Sequence, residues 1–133
     1  MPIDLEIVSP DKVLLKRPVD MVVLPAWDGE LAAMPQHAPM MVALRGGVIA
    51  LHEGGQVTDR FYVAGGFAEI TPDRCTVLAD EAVPVGEVGH ATAVRRVIEA
   101  QEAYQAAGAD NEARELAMDR LQAAQVMVRV SGG

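Results

Sequence analysis

The sequence predicts an N-terminal all-β region, folded as an antiparallel sandwich or barrel, followed by a C-terminal antiparallel α-helical hairpin. Up to about residue 86 apolar residues alternate with a period near two, as in Ile3, Leu5 and Ile7. Turn signals rich in Gly and Pro separate these runs. Residues 90–128 then contain no proline and one glycine, Gly108. We therefore predict a β domain over 1–87 and a helical hairpin domain over 88–133.

Seven runs in the β region are typical of short strands. They are residues 3–7 and the segments DMVVL, MMVAL, GVIAL, RFYVA, FAEI and RCTVLA. The intervening turns include SPDK, WDGE, RGG, AGG and TPDR. The two glycines of HEGGQ predict a tight hairpin turn that carries His52 and Glu53 at its side.

Two stripes at helical spacing define the hairpin. The first consists of Val94, Val97, Ile98 and Tyr104, and the second of Ala113, Ala117, Leu121, Ala124 and Val128. Gly108 is placed as the C-cap of the first helix, and Asp110 or Asn111 as the N-cap of the second. Stripes rich in alanine bury a modest area, so we expect a hairpin that packs onto the protein but can detach.

Composition excludes several classes of function. The net charge of −8 and the presence of only two lysines, Lys12 and Lys16, argue against nucleic-acid binding and against a polybasic membrane contact. The longest apolar run, residues 21–27, is too short to span a bilayer, and the first residues lack the pattern of a signal peptide. We expect a soluble cytoplasmic chain.

No arrangement of residues predicts an active site, a metal site or a cofactor. The two serines, Ser9 and Ser131, lie in a turn and near the C-terminus, and Cys75 alternates with apolar neighbours as a buried residue does. The three histidines, at positions 37, 52 and 90, have no companions at ligand spacing. No glycine-rich loop is followed by Lys and Ser or Thr.

The segment AAMPQHAPMM, residues 32–41, stands out because Pro35 and Pro39 flank His37. The prolines stiffen the loop, so ordering it against a partner would cost little entropy. Its uncharged side chains suit a contact surface better than a general base. Two interpretations stay open: His37 hydrogen-bonds within its own turn, or the loop contacts a partner.

Two longer segments resemble the ε subunits of bacterial F-type ATP synthases, which are equivalent to the mitochondrial δ subunits. These segments are DGELAAMPQHAPMMVALRGGVI and RFYVAGGFAEITPDRCTVLADEA, and LEIVSPDKVLL fits the first strand and turn of the family. The resemblance implies a β-sandwich of about ten strands followed by two antiparallel helices. It also implies a non-catalytic rotor subunit without cofactor, which binds the γ subunit and the ring of c subunits and reaches the membrane only through that ring. Such a subunit is peripheral, on the cytoplasmic face of the bacterial inner membrane.

The resemblance assigns partner contacts to a set of residues on and before the His37 loop: Glu30, Met34, Gln36, His37, Ala38 and Pro39. Ala32 and Gln36 stand where the family often has glycine. If those positions require a positive φ, the loop of this chain must have a different conformation. Gly65 and Gly66 in VAGGFAEI are interpreted as structural, in a bulge or a turn with positive φ.

The resemblance also bears on regulation by the hairpin. Some relatives bind ATP through an I/L-D-x-x-R-A motif at the start of the first helix, and the matching run here is ATAVRR. Thr92 replaces the aspartate and Arg96 the alanine, whereas Arg95 remains, so we predict weak or absent ATP binding. Contact of the hairpin with the catalytic α and β subunits would use Arg114, Arg120 and Arg129. Acidic residues between these arginines weaken their positive field, so we expect weak inhibition of ATP hydrolysis at most. The alternative from another class is a small β-barrel enzyme that binds a metal or ligand and carries a helical appendage.

Overall fold

The structure is a computed structural model that describes residues 2–131. Met1, Gly132 and Gly133, at the ends of the two predicted domains, lie outside the described residues. The strands are β1 (Ile3–Val8), β2 (Val13–Val19), β3 (Met21–Ala26), β4 (Gly29–Ala33), β5 (Met40–Leu44), β6 (Gly47–Glu53), β7 (Gln56–Val63), β8 (Gly66–Ile70), β9 (Arg74–Ala79) and β10 (Ala82–Pro84). A 3₁₀ turn (Val85–Glu87) leads to α1 (His90–Ala107) and α2 (Asn111–Val130).

The ten strands form a β-sandwich that is nearly closed into a barrel. Their order is β10-β7-β6-β3-β5-β8-β9-β1-β2, and β4 pairs with β3 alone. β3 pairs with β5 only through Ala26 and Leu44, so the path bends there into two layers. The inward residues of both layers share one core, which includes Ile3, Leu5, Ile7, Val22, Leu24, Ile49, Leu51, Ile70 and Val77. The predicted fold class is confirmed.

Periodicity predicts seven strands, and the structure contains three more: β2, β4 and β10. β2 contains Lys16, Arg17 and Pro18, and β4 has the sequence GELAA with no β-branched residue. Both lie at sheet edges, where burial imposes less of an alternating pattern. A further difference is that β1 and β9 pair in parallel, although every other pair is antiparallel as predicted.

The glycine pairs of two turns adopt positive φ. Gly54 and Gly55 (φ 62° and 79°) form the two-residue turn between β6 and β7, beside His52 and Glu53 as expected. Gly65 and Gly66 (φ 138° and 133°) form the turn into β8, which begins at Gly66, and a Cβ at Gly66 would lie 2.1 Å from the Leu78 carbonyl oxygen. The second glycine pair therefore has a structural role.

A surface ion cluster ties β2 to the β6–β7 hairpin. The Arg17 guanidinium donates to Glu53 at 2.7 Å and to Asp59 at 2.6 Å. Thr58 also donates its hydroxyl to Glu53. The Thr58 hydrogen bond, and after it Arg17, lower the pKa of Glu53, and the two carboxylates raise the pKa of Arg17.

We expect this cluster to make stability depend on acidity. Because the folded-state pKa of Glu53 lies below its ordinary value, its contribution is complete above that value and is lost as the pH falls through the folded pKa. Glu53→Gln should therefore flatten the fall in the free energy of unfolding below about pH 4.5. Urea titrations at pH 7 and pH 3.5 check this, with Glu69→Gln as the unpaired control. Parallel pH profiles for the wild type and Glu53→Gln would contradict the assignment.

The helical hairpin has the predicted caps. Gly108 ends α1 with φ 56°, and the Asp110 carboxylate accepts the Ala113 N–H at 3.1 Å at the start of α2. The Arg114 guanidinium lies 4.8 Å from the centre of the Tyr104 ring and donates to the Gly108 carbonyl at 3.1 Å. These contacts fix the turn between the two helices.

The predicted stripe is correct for α2 but partly wrong for α1. All five α2 residues of the stripe are buried or half-buried. In α1, Val94 and Ile98 are 39% and 50% exposed, and the fully buried residues are Ala93 and Ala100. Because alanine permits close approach of helices, the face with small residues packs inward.

The last strand ends at Pro84 and α1 begins at His90. The predicted division between 1–87 and 88–133 falls in this connection and stays a prediction. The hairpin packs against the sandwich through a second apolar cluster of Tyr62, Val88, Ala93, Val126 and Met127. The hairpin is thus folded down onto the β-sandwich rather than extended.

Candidate functional site: three surfaces

The predicted contact residues lie along one edge of the sandwich, here called the loop edge (Glu30 and residues 34–39). Glu30 is exposed near the start of β4, which pairs on one side only. The loop leaves the other end of β4, roughly 13 Å of strand away. The structure therefore arranges these residues in a row and does not gather them into one cluster.

The loop begins with a type II β-turn over residues 34–37. The His37 N–H donates to the Met34 carbonyl at 3.1 Å, Pro35 is the first central residue, and Gln36 is the second with φ 70°. The Gln36 N–H also donates to the Pro72 carbonyl at 2.5 Å. The expectation that Gln36 forces a different loop conformation is wrong, because Gln36 itself adopts the positive φ. Ala32 lies within β4 opposite Val23 and requires no glycine.

The conformation of Gln36 leads to a prediction about stability. A β-branched residue tolerates positive φ poorly, so Gln36→Val should lower the free energy of unfolding by about 1–2 kcal/mol. Gln36→Gly, which relieves the backbone strain, serves as the matched control and should be at least as stable as the wild type. Thermal unfolding of the three proteins checks the order. Equal midpoints for Val and Gly variants would contradict the turn assignment.

His37 is half-buried, and its Nδ1 lies 2.7 Å from the Ala38 carbonyl oxygen. A carbonyl only accepts, so Nδ1 carries the proton in this contact. The first interpretation of His37, a hydrogen bond within its own turn, is thus observed. Met34, Gln36, Ala38 and Pro39 around it are exposed.

A second surface, which sequence reasoning missed, crosses the outer face of five strands. We call it the apolar band: Ala43, Phe67, Leu78, Val8 and Val13, each paired with the next across neighbouring strands. Phe67, Leu78 and Val13 are 55%, 54% and 55% exposed. Exposed apolar groups that adjoin in this way are typical of a protein contact surface. Only the strand register brings residues so distant in sequence together.

The third surface is the interface between hairpin and sandwich, where a cleft of about 720 Å³ lies between them. Gln122 of α2 donates to the Gly46 carbonyl at 2.7 Å and accepts the Gly46 N–H at 3.1 Å. The buried Tyr62 hydroxyl donates to the Ala123 carbonyl at 3.1 Å. Burial, more than the nearby Glu81 carboxylate, raises the pKa of Tyr62 to about 12, so this donor stays protonated.

An ion pair completes the attachment of the hairpin. Arg96 of α1 donates to both carboxylate oxygens of Glu81 at 2.5 and 2.9 Å. Both side chains are about one-third exposed, so the pair contributes about 1 kcal/mol or less. Together, the Gly46–Gln122, Tyr62–Ala123 and Glu81–Arg96 contacts are called the hairpin clasp below.

The ends of the strands separate the clasp from the loop. In β5, Met40 lies beside the loop and Leu44 lines the cleft. The neighbouring strand β8 likewise runs from Gly66 in the cleft to Ile70, which pairs with Met40. The hairpin and the His37 loop therefore lie at opposite ends of these strands, on one rigid core.

The residues at the degenerate nucleotide motif lie on the first turns of α1. Thr92 is half-buried and Arg95 is exposed. Arg96, which stands where the motif has alanine, is engaged with Glu81. This structure thus gives Arg96 a role in docking the hairpin.

The remaining candidate groups do not converge. Cys75 is fully buried in the core, which raises the pKa of its thiol to about 12. Within residues 2–131, no three His, Cys, Asp or Glu side chains lie together as metal ligands would. Neither helix in the same range is both long enough and apolar enough to cross a membrane.

A β-sandwich that carries a docked helical hairpin, with a stiff loop edge and an apolar band exposed, defines a class of small proteins that present contact surfaces. Residues 2–85 match the family model of the ATP synthase delta/epsilon chain β-sandwich domain. The chain belongs to the ATP synthase delta/epsilon family and, within it, to the epsilon chains.

Relatives and solved structures extend this match to the hairpin. The chain is 57% identical to the ATP synthase epsilon chain of Granulibacter bethesdensis, over 96% of this chain and 95% of that one. It is 48% identical to the epsilon chain of Gluconacetobacter diazotrophicus over its full length and 95% of that chain. A chain in the cryo-EM structure of the Euglena gracilis mitochondrial ATP synthase, OSCP/F1/c-ring, has the same fold, with a TM-score of 0.77 at 23% identity, over 95% of this chain and 79% of that one.

Proposed function

We propose that this chain is a non-catalytic central-stalk (rotor) subunit of an F-type ATP synthase, which couples proton translocation to ATP synthesis. The observation that carries the proposal is the 57% identity to an epsilon chain over 96% of this sequence. The relatives at this level span both the sandwich and the hairpin, which disfavours the alternative of a small metal- or ligand-binding barrel enzyme.

The proposed partners are the γ subunit and the c-ring. We assign the loop edge to the region where the c-ring loops and the foot of γ meet. The type II turn and the two prolines hold this loop in place before binding, so little entropy is lost on contact. The exposed Glu30 carboxylate would add orientation and register more than affinity.

We assign the apolar band to γ. Five directly adjoining apolar residues supply a continuous surface of the kind that forms the centre of a protein interface. The loop edge and the band both belong to the sandwich, whose interior is close-packed around one core. A force applied at one surface would therefore be transmitted to the other without deformation of the subunit, as a rotor requires.

The hairpin is the proposed route to the α and β subunits. Of its three candidate arginines, Arg114 is held by Tyr104 and Gly108, which leaves Arg120 and Arg129 exposed. Two arginines among interleaved acids give a weak positive field, so we propose a weak regulatory effect on ATP hydrolysis. Location at the cytoplasmic face of the bacterial inner membrane, peripheral and through the c-ring, follows from these partners.

We expect no ATP binding in the micromolar range. Thr92 provides no carboxylate where ATP-binding relatives have aspartate, and Arg96 is occupied by Glu81. Isothermal titration of ATP into the purified protein should give no saturable heat, and Thr92→Asp tests whether the missing carboxylate is the cause. A micromolar dissociation constant for the wild type would contradict this part of the proposal.

A tagged pull-down from gently lysed source cells tests the function. Recovery of γ, α, β and c subunits at consistent stoichiometry is expected. Recovery of the tagged chain alone, under conditions in which the synthase stays assembled, would contradict the proposal and return attention to the barrel-enzyme alternative, for which metal analysis of the purified protein is the direct test.

A further inference from the structure

Three exposed methionines lie within the eight residues 34–41, on and beside the loop. Met34, Met40 and Met41 are 48%, 40% and 65% exposed. Met127, in the interface between hairpin and sandwich, is only 3% exposed. Met118, on α2 of the hairpin, is 56% exposed.

The positions of the three methionines connect the two contact surfaces. Met34 is the first residue of the type II turn, and Met40 begins β5 directly after the loop. Met41 is two residues before Ala43 on the same strand, so both side chains point to the outer face that bears the apolar band. A chemical change in these methionines would therefore alter the loop edge and the margin of the band together.

Exposed thioethers react with peroxides. In this reaction the sulfur attacks one peroxide oxygen, the O–O bond breaks, and a sulfoxide and water form: R–S–CH₃ + H₂O₂ gives R–S(O)–CH₃ + H₂O. The sulfur is oxidised by two electrons and the peroxide is reduced. The sulfoxide is polar and accepts hydrogen bonds, so it no longer suits an apolar interface.

We propose that Met34, Met40 and Met41 form an oxidation-sensitive element, in which peroxide oxidation of the free subunit weakens its binding to the synthase. This inference rests on the proposed function, because it requires the loop edge to contact the complex. Once bound, the same contact shields the three thioethers, so the sensitivity belongs to the subunit before assembly or after release.

Rebinding to membranes from which this subunit has been removed tests the proposal. The purified wild type is treated with hydrogen peroxide, the sulfoxides are located by mass spectrometry, and binding is measured before and after treatment. We expect sulfoxides at the three loop positions and at Met118 but not at Met127, and roughly tenfold weaker binding or more. Methionine sulfoxide reductase should restore the binding.

Two variants separate the loop from the rest of the protein. Met34→Leu/Met40→Leu/Met41→Leu keeps the apolar volume. Peroxide treatment should not change the affinity of this variant relative to the same variant before treatment. Met118→Leu removes a comparably exposed methionine elsewhere, so binding of this variant should stay as sensitive to peroxide as binding of the wild type.

The outcomes distinguish failure of the proposed function from failure of this inference. Failure of the untreated wild type to bind would contradict the proposed function. Three results would overturn this inference while leaving the proposed function intact. The wild type could bind normally with sulfoxides at the three positions, the three methionines could fail to react, or peroxide could still weaken binding of the triple variant.

Discussion

Replacing Gly46 with alanine should release the hairpin from the sandwich. A Cβ at this position would lie 2.5 Å from the Ala123 Cα, 2.6 Å from its Cβ and 2.9 Å from the Gln122 Oε1. The nearest atom, the Ala123 Cα, belongs to the backbone of α2, and the Ala123 Cβ is fixed to it, so the helix must move as a whole. This movement breaks both Gly46–Gln122 hydrogen bonds and draws the Ala123 carbonyl away from Tyr62.

The expected size of this effect follows from the contacts that hold the hairpin. Overpacking of this kind costs about 1–3 kcal/mol. The hairpin is held by the three contacts of the clasp and by the small apolar cluster around Tyr62. Amide hydrogen exchange in α2 around Ala123 should accelerate by about ten- to hundredfold, while exchange in β9 stays unchanged.

Gly86→Ala is the matched control for this experiment. A Cβ at Gly86 would meet nothing within 4 Å, and the residue has no positive φ. Exchange in α2 should stay at the wild-type rate in this variant. If α2 of Gly46→Ala also exchanged at the wild-type rate, the close approach of the β5–β6 turn to α2 would not be what holds the hairpin.

The second large effect is expected at the apolar band. Phe67→Thr/Leu78→Thr replaces two directly paired, half-exposed residues with a residue that retains strand propensity. The fold should survive, because both side chains lie outside the core. Recovery of γ in a pull-down should fall by tenfold or more, since central apolar residues contribute about 2 kcal/mol each to such interfaces.

Glu69→Thr provides the comparison within the same strand. Glu69 lies on the same outer face as Phe67, one row away, and pairs with Met41 and Thr76. Its replacement should leave the recovery of γ unchanged, and thermal unfolding of both variants verifies their folding. Full recovery of γ with the double variant would remove the apolar band from the proposed interface.

Periodicity predicts the elements whose residues alternate between the buried core and the surface. Strand β1 is evident because Ile3, Leu5 and Ile7 are buried while the residues between them face outward. The two helices are evident from composition and from the caps at Gly108 and Asp110. Periodicity does not predict the edge strands β2 and β4, because each pairs with a neighbouring strand on one side only.

The surfaces are harder to predict because they depend on register. Val13 and Phe67 are more than fifty residues apart in sequence, and only the pairing of β1 with both β2 and β9 places them in one band. The hairpin clasp likewise depends on Gln122 meeting Gly46 across 76 positions. Gln36 illustrates a different limit: the sequence does not reveal that this position has a positive φ, which the protein accommodates with glutamine instead of changing the loop.

The most direct test of the central claim is site-specific cross-linking from the loop edge. His37→Cys introduces a thiol on the surface loop. The native Cys75 is fully buried, and burial raises the pKa of its thiol to about 12, so it stays unreactive. After assembly into the synthase, a short thiol-to-amine reagent at residue 37 should yield products with a c subunit or γ. Arg95→Cys, on exposed α1, should not yield the c-subunit product. Absence of both products from residue 37, in complexes that contain the variant at full stoichiometry, would contradict the placement of this loop at the contact between stalk and ring.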